Sequence, residues 1–164
     1  MIDKTYPITE KLLKNGLDLS SKLLALLTKE ASNLKNNADS SSITKIVNSK
    51  KEIVSQLNQF SKQFTQVLAT EKLQMSSEGV AEYFKKAEKT ALDTTASSDL
   101  WDEILSVSKK CLLLNEKNGA SINLLAQHNQ RTLNILKGKS EQPSTYGPDG
   151  SAYNEKLSHN LFSV

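Results

Sequence analysis

The sequence of 164 residues contains few aromatic residues, few residues that break helices and a single cysteine. Aromatic residues make up 5% of the chain, so its core must consist mainly of Leu, Ile, Val and Ala, which suits helix-on-helix packing better than a β-sandwich. The few glycines and prolines are concentrated from Gly138 onwards, which leaves the preceding part of the chain able to form long helices. Cys111 has no second cysteine with which to form an internal disulfide, as is usual for a cytoplasmic protein.

The sequence also lacks a long apolar run and a dense run of basic residues. No segment approaches the roughly 20 apolar residues that a membrane-spanning helix needs, and charged residues interrupt the N-terminal leucines, unlike in a secretory signal. We therefore expect a cytoplasmic protein without stable membrane insertion. The formal net charge of +3 is carried by lysines and one arginine, Arg131. Because the lysines occur as doublets with acidic residues nearby, a solvated helix surface is a simpler interpretation than a nucleic-acid interface.

Residues suited to catalysis or metal binding are equally scarce. The two imidazoles, His128 and His159, have no acid, base or nucleophile at a suitable spacing, and together with Cys111 they are too few for a zinc site. The sequence has no glycine-rich phosphate-binding loop and no dinucleotide-binding fingerprint. It therefore predicts that the protein is not an enzyme and that it uses no cofactor or metal.

Apolar residues that recur every three or four positions predict three long helices. The first helix spans residues 9–35, with Thr9 as a possible N-cap after Pro7. The second spans residues 41–75, and the third spans residues 99–137. The predicted fold is therefore all-α, an elongated antiparallel bundle of three main helices.

Two stretches of the chain leave alternatives open. Residues 77–87 form either a short helix or an extension of the second helix, and a loop with a helix cap follows them. Asn118-Gly119 could form a turn, but the apolar period continues in phase across it and favours one continuous helix. Gly119 costs about 1 kcal/mol relative to alanine, and we expect it to let another helix approach closely. The predicted domains are a helical bundle at residues 1–138 and a flexible C-terminal tail at residues 139–164.

One charged residue interrupts the apolar stripe of each of the first two helices, Glu30 in the first and Lys50 in the second. If the helices fold antiparallel about a turn near Asp39-Ser40, these residues lie about equally far from the turn and face one another. A charge pair inside a helix seam costs stability but fixes the register. We therefore predict that the two side chains approach within about 4 Å.

Candidate partner-binding residues lie in the third helix and in the tail. Asn115 and Asn118 interrupt the apolar stripe of the third helix, where they either fix the register or contact a partner, and Ile122 extends that stripe. The tail adds an aromatic residue and a set of apolar residues that a transient helix would gather on one side, namely Tyr146, Leu157, Leu161 and Phe162.

Four features occur in order along the chain, namely the leucine-rich stretch at residues 12–34, Lys50 in the second helix, Asn115 to Gly119 in the third, and Thr145-Tyr146-Gly147 with Gly150 in the tail. In this combination they resemble the FlgN family of flagellar export chaperones. The resemblance spans nearly the whole chain. The segment from Ser76 to Ser98, which contains Lys85-Lys86, departs from the pattern.

The resemblance implies a cytoplasmic chaperone that binds the C-terminal helices of the hook-associated proteins, which form the hook–filament junction. Such a chaperone prevents premature assembly of these proteins and delivers them to the flagellar type III export apparatus, without hydrolysing ATP and with no nucleic-acid partner. The alternative is a Lys-rich helical adaptor that binds nucleic acid or a membrane surface. That function would require one continuous basic face and would be sensitive to salt.

Overall fold

The computed structural model describes residues 1–36 and 40–137, which form four helices and no strand. The helices are α1 (Ile2–Lys35), α2 (Ser40–Thr70), α3 (Ser77–Glu88) and α4 (Thr95–Leu136). The predicted all-α fold is confirmed. The first compact unit is Met1–Ile122, and the second begins at Asn123 within α4. The predicted domain boundary at residue 138 lies outside the described residues and stays a prediction.

The first helix begins earlier than predicted, at Ile2 rather than at Thr9, and contains Pro7. A proline inside a helix lacks the N–H group for one backbone hydrogen bond. The extension nevertheless buries Ile2 and Tyr6, and the Tyr6 hydroxyl donates to the Asp93 carbonyl oxygen at 2.7 Å. These tertiary contacts favour the longer helix, since the packing of an apolar face stabilises a helix more than local propensity does.

Helices α1 and α2 form an antiparallel hairpin. Asn33 contacts Ser42 near the turn, at 2.9 Å, and Thr5 contacts Glu71 at the opposite end, at 3.0 Å. Between these ends the two helices pack through buried apolar side chains. The predicted antiparallel pairing of the first two helices is therefore present in the structure.

The glycine at which two helices approach each other is Gly16. A Cβ atom added to Gly16 would lie 2.7 Å from the Phe60 ring of α2. The expectation that Gly119 has this role was wrong, because Gly119 is exposed and a Cβ atom there meets no described atom within 4 Å. Its neighbour Asn118 faces α1, and the next residue along a helix points about 100° away.

Helices α1 and α4 run parallel with a constant offset. The Ser20 carbonyl accepts a hydrogen bond from the Cys111 thiol at 3.7 Å, and the Leu27 carbonyl accepts one from the Asn118 amide at 2.9 Å. The two residues of each pair are 91 positions apart in sequence. Tyr6 and Ser97, which form a hydrogen bond near the beginning of the two helices, have the same separation. The helix also continues through Asn118 and Gly119, as the apolar period predicts.

Residues 77–88 form a separate short helix, α3, rather than an extension of α2. Helix α2 ends at Thr70 instead of near Met75, and Lys72 then adopts a left-handed backbone conformation with φ of 60°. Ser76 caps the new helix by accepting a hydrogen bond from the Gly79 amide at 3.1 Å. The change of direction at the end of α2 brings α3 against the beginning of α1.

Tyr83 of α3 is fully buried beside two threonines of α1. Its hydroxyl lies 2.8 Å from Thr9 Oγ1 and 3.2 Å from Thr5 Oγ1. Burial raises the pKa of Tyr83 above its ordinary value of 10.0, and the two hydrogen bonds oppose this shift. The surrounding core includes apolar residues from all four helices, among them Leu13, Phe60, Phe64, Leu68, Val80 and Ile104.

Candidate partner-binding surface

A buried polar cluster joins α1, α2 and α4. The Lys50 ammonium group donates to the two carboxylate oxygens of Glu30 at 3.0 and 2.9 Å, so the predicted contact between these residues is confirmed. The Asn118 amide donates to the same carboxylate at 2.8 Å and to the Leu27 carbonyl at 2.9 Å. Lys50 also lies 3.4 Å from Asn115 Oδ1. The carboxylate is 1% exposed, and these donors satisfy it in place of water.

This cluster decides between the two interpretations of Asn118. Its side chain is 3% exposed and its amide group is bonded to α1, so the side chain lies within the seam between α1 and α4. The structure therefore favours a register role for Asn118, which moves it from the partner-binding to the structural residues. Asn115 is exposed, and Ile122 is 41% exposed, so both remain available as predicted partner contacts.

An apolar cavity of about 400 Å³ lies between α1, α2 and α4 beside the polar cluster. Leu27 and Phe60 contribute to its lining. Val54 of α2 and Leu112 of α4 also line it, and both of these side chains are exposed. Cys111 also lines this cavity. Burial raises the pKa of the Cys111 thiol, so this residue is a small apolar component of the wall rather than a reactive thiolate.

The second unit presents an exposed row on one side of α4, which we call the distal row and define as Leu125, Asn129, Leu133 and Leu136. The three leucines are 39%, 46% and 78% exposed. No acidic residue occurs from Lys117 to Lys137. Low charge together with a row of exposed leucines is typical of a helix that binds an apolar partner, and Leu124 and Ile135 add exposed apolar surface on an adjacent side.

Asn129 and Leu133 were not among the sequence-predicted site residues. An 11-residue repeat in α4 could have identified them, because Asn129 follows Asn118, and Leu133 follows Ile122, at that spacing. Eleven residues make about three helical turns, so equivalent positions lie on nearly the same side. The tail candidates Tyr146, Leu157, Leu161 and Phe162 lie outside the described residues, and their roles stay predictions.

Two other kinds of site find no support within residues 1–36 and 40–137. No group of three or more His, Cys, Asp or Glu side chains there is arranged to hold a metal ion. None of the helices in this part of the chain combines the length and the apolar character needed to cross a membrane. The exposed apolar surface of α4 is therefore the strongest candidate site that the described residues provide.

Comparison with known proteins places the chain in a family. It matches the FlgN protein family over residues 5–154, which covers nearly all of the four helices and extends into the predicted tail. No curated protein and no solved structure shows a significant match. The matching family is one of chaperones for flagellar export and not a family of enzymes. The predicted resemblance is confirmed over most of the chain, and the protein belongs to the FlgN family of flagellar export chaperones.

Proposed function

We propose that this protein is a cytoplasmic chaperone for the hook-associated proteins of the hook–filament junction. It binds the C-terminal helix of its client along the distal row, prevents premature assembly and delivers the client to the flagellar type III export apparatus. The observation that carries this proposal is the exposure of Leu125, Leu133 and Leu136 on one side of α4, in a stretch without acidic residues.

An amphipathic client helix fits this surface because it can cover the leucines with its own apolar stripe. Burying one leucine side chain completely contributes about 1.5–3 kcal/mol, and the leucines of the row are already partly covered. Association also costs translational and rotational freedom. The net affinity should therefore be modest, which suits a protein that must release its client at the export apparatus.

The tail supplies a second set of proposed contacts, Tyr146 together with Leu157, Leu161 and Phe162. Aromatic residues are strong anchors in protein interfaces, and the chain contains few of them. Ile122 is proposed as a further contact because its side chain is partly exposed. Asn115 is retained as a polar contact at the surface of α4.

The test is a titration of the full-length protein with a synthetic peptide that covers the C-terminal helix of a hook-associated protein from the same organism. The double variant Leu125→Ser/Leu133→Ser should lower the affinity at least about tenfold, because two apolar contacts are lost. Its thermal unfolding should change little, since both side chains are exposed.

Leu124→Ser is the matched control. Leu124 is 67% exposed but points about 100° away from its neighbour Leu125, so this variant should bind the peptide like the wild type. His128→Ala should also bind normally, because His128 is exposed and lies off the row.

Equal affinity of the wild type and the double variant would mean that the client does not use the distal row. The dependence of affinity on salt concentration distinguishes the proposed function from the alternative adaptor function. Binding to a nucleic acid or an anionic membrane weakens steeply as the salt concentration rises. Binding to the apolar row should change little between about 0.1 and about 1 M salt, although the screening length for surface charges falls from about 10 Å to about 3 Å over that range.

A further inference from the structure

The distal row repeats the pattern through which α4 packs against α1. The repeat consists of three sets of three residues at 11-residue intervals, Val107-Cys111-Leu114, Asn118-Ile122-Leu125 and Asn129-Leu133-Leu136. Because 11 residues correspond to about three turns, each residue of one set has nearly the same helical phase as its counterpart in the next set. A row with the residue pattern of an existing helix–helix seam is suited to a partner that resembles the helix bound at that seam.

The seam with α1 shows what this pattern binds. Val107 and Cys111 are buried in a cluster with Leu27 of α1. The Asn118 amide, at the first position of the second set, donates to the Leu27 carbonyl and to the Glu30 carboxylate. The helix that faces an asparagine at this position thus combines an apolar stripe with a carboxylate inside it.

Asn129 occupies the same position in the third set, and its side chain is exposed. The nearest acidic residues in sequence are Glu116 and Glu141, so the exposed end of α4 provides no carboxylate of its own. Lys137 adds a positive charge to this stretch. This charge and the exposed amide both favour a partner that brings a negative group.

We propose that Asn129 is a specificity-determining residue, which selects an amphipathic helix with one carboxylate inside its apolar stripe. This inference rests on the proposed function, because it takes the distal row as the site of the client helix. A partner with a wholly apolar stripe would bury the Asn129 amide without an acceptor, and a buried unpaired polar group lowers affinity about tenfold or more. A charge-assisted hydrogen bond with a carboxylate avoids this loss.

The test uses the full-length protein and two synthetic peptides. The first peptide has the sequence of residues 17–35 of this chain, which contains the Leu27 and Glu30 pattern, and the second differs by Glu30→Leu. The wild-type protein should bind the first peptide about tenfold more tightly than the second. The variant Asn129→Leu should reverse this preference, because a leucine at that position prefers an apolar partner.

Two controls locate the effect. Asn123→Leu changes an exposed asparagine on another side of α4 and should leave the preference for the acidic peptide unchanged. Leu125→Ser/Leu133→Ser should weaken the binding of both peptides. If the double substitution leaves the binding of both peptides unchanged, the peptides bind by replacing the protein's own α1 in the bundle. That result would overturn the inference.

The failure of this inference can be distinguished from failure of the proposed function. If a client peptide binds through the distal row but the wild type does not prefer the acidic α1 peptide, the role of Asn129 is wrong and the chaperone function stands. If the client peptide binds the Leu125→Ser/Leu133→Ser variant as tightly as the wild type, the proposed function itself fails, and the inference fails with it.

Discussion

The Lys50 ammonium group lies within 3.0 Å of both carboxylate oxygens of Glu30, a side chain that is only 1% exposed. This charge pair lies inside the seam between α1 and α2. If the helices slipped by one or two turns, Glu30 would be buried without its cation, which is strongly unfavourable. The pair therefore selects one register from among several that the leucine-rich stripes would allow.

Replacing Lys50 with alanine should destabilise the protein by about 2–4 kcal/mol, because among the described residues the buried carboxylate then retains only the Asn118 amide as a side-chain donor. Urea denaturation measures this change. The surface pair Asp18–Lys22, at 2.7 Å, provides the control, and Lys22→Ala should cost less than about 1 kcal/mol. If both variants lose the same small amount, the buried pair contributes no more than an exposed one. Glu30→Leu/Lys50→Leu should recover much of the stability by replacing the pair with apolar contacts.

Alanine at Gly16 and alanine at Gly119 should have opposite effects on the free energy of unfolding. Gly16→Ala places a methyl group 2.7 Å from the Phe60 ring and should destabilise by about 1–3 kcal/mol, despite the better helix propensity of alanine. Gly119→Ala meets no described atom within 4 Å and should stabilise by about 0.5–1 kcal/mol. Thermal unfolding of the two variants measures the difference. A Gly16→Ala protein as stable as the wild type would show that α2 can shift away without cost.

Tyr83→Phe should alter the dependence of stability on alkaline pH. The pKa of Tyr83 is raised by burial, so the folded state keeps the phenol neutral at a pH where the unfolded chain ionises. The contribution of the neutral Tyr83 phenol to the free energy of unfolding is fully present below about pH 10, the ordinary pKa of tyrosine. It is lost as the pH rises through the pKa of Tyr83 in the folded state. The variant should be less stable by about 1–2 kcal/mol at pH 7, because Thr5 and Thr9 lose a partner. Urea denaturation from pH 7 to 11 should show a shallower decline for the variant than for the wild type, and parallel curves would contradict this account.

Removing residues 142–164 should leave the thermal unfolding of the helical part unchanged, because the buried residues of both described apolar clusters lie within α1 to α4. The same truncation should weaken the binding of the client peptide about ten- to a thousandfold, since it removes two or three proposed anchors worth about 1–2 kcal/mol each. Calorimetry and peptide titration of the same two proteins separate these effects. A sharp fall in melting temperature would show that the tail contributes to the core, and unchanged binding would exclude it from the site.

The features that were predictable from the sequence depend on periodicity and on symmetry about a turn. The apolar period correctly predicted that α4 continues through Asn118 and Gly119, where local propensity favours a turn. The equal distances of Glu30 and Lys50 from the first turn predicted their contact. Both inferences use only positions along regular helices, whose geometry is nearly fixed.

The features that were missed depend on tertiary contacts or on the backbone conformation of a single residue. The early start of α1 at Ile2 depends on the burial of Tyr6 against α4, which no local signal records. The early end of α2 depends on the left-handed backbone at Lys72, a residue type that rarely adopts that conformation. The inward orientation of Asn118 was one of two open alternatives, because an asparagine within an apolar stripe can either fix a seam or mark a binding surface.

The constant offset between α1 and α4 also has a consequence for how the chain is assembled during synthesis. Contacts between α1 and α2 near the first turn join residues nine and 20 positions apart, whereas the Asn118 amide reaches Leu27 across 91 positions. Short loops close at a lower entropic cost, so the hairpin can form while α4 is still being translated. The residues of the distal row leave the ribosome after the segment that completes the seam with α1. The surface proposed to hold a client is therefore the last part of α4 to leave the ribosome, at a stage when the hairpin of α1 and α2 can already be folded.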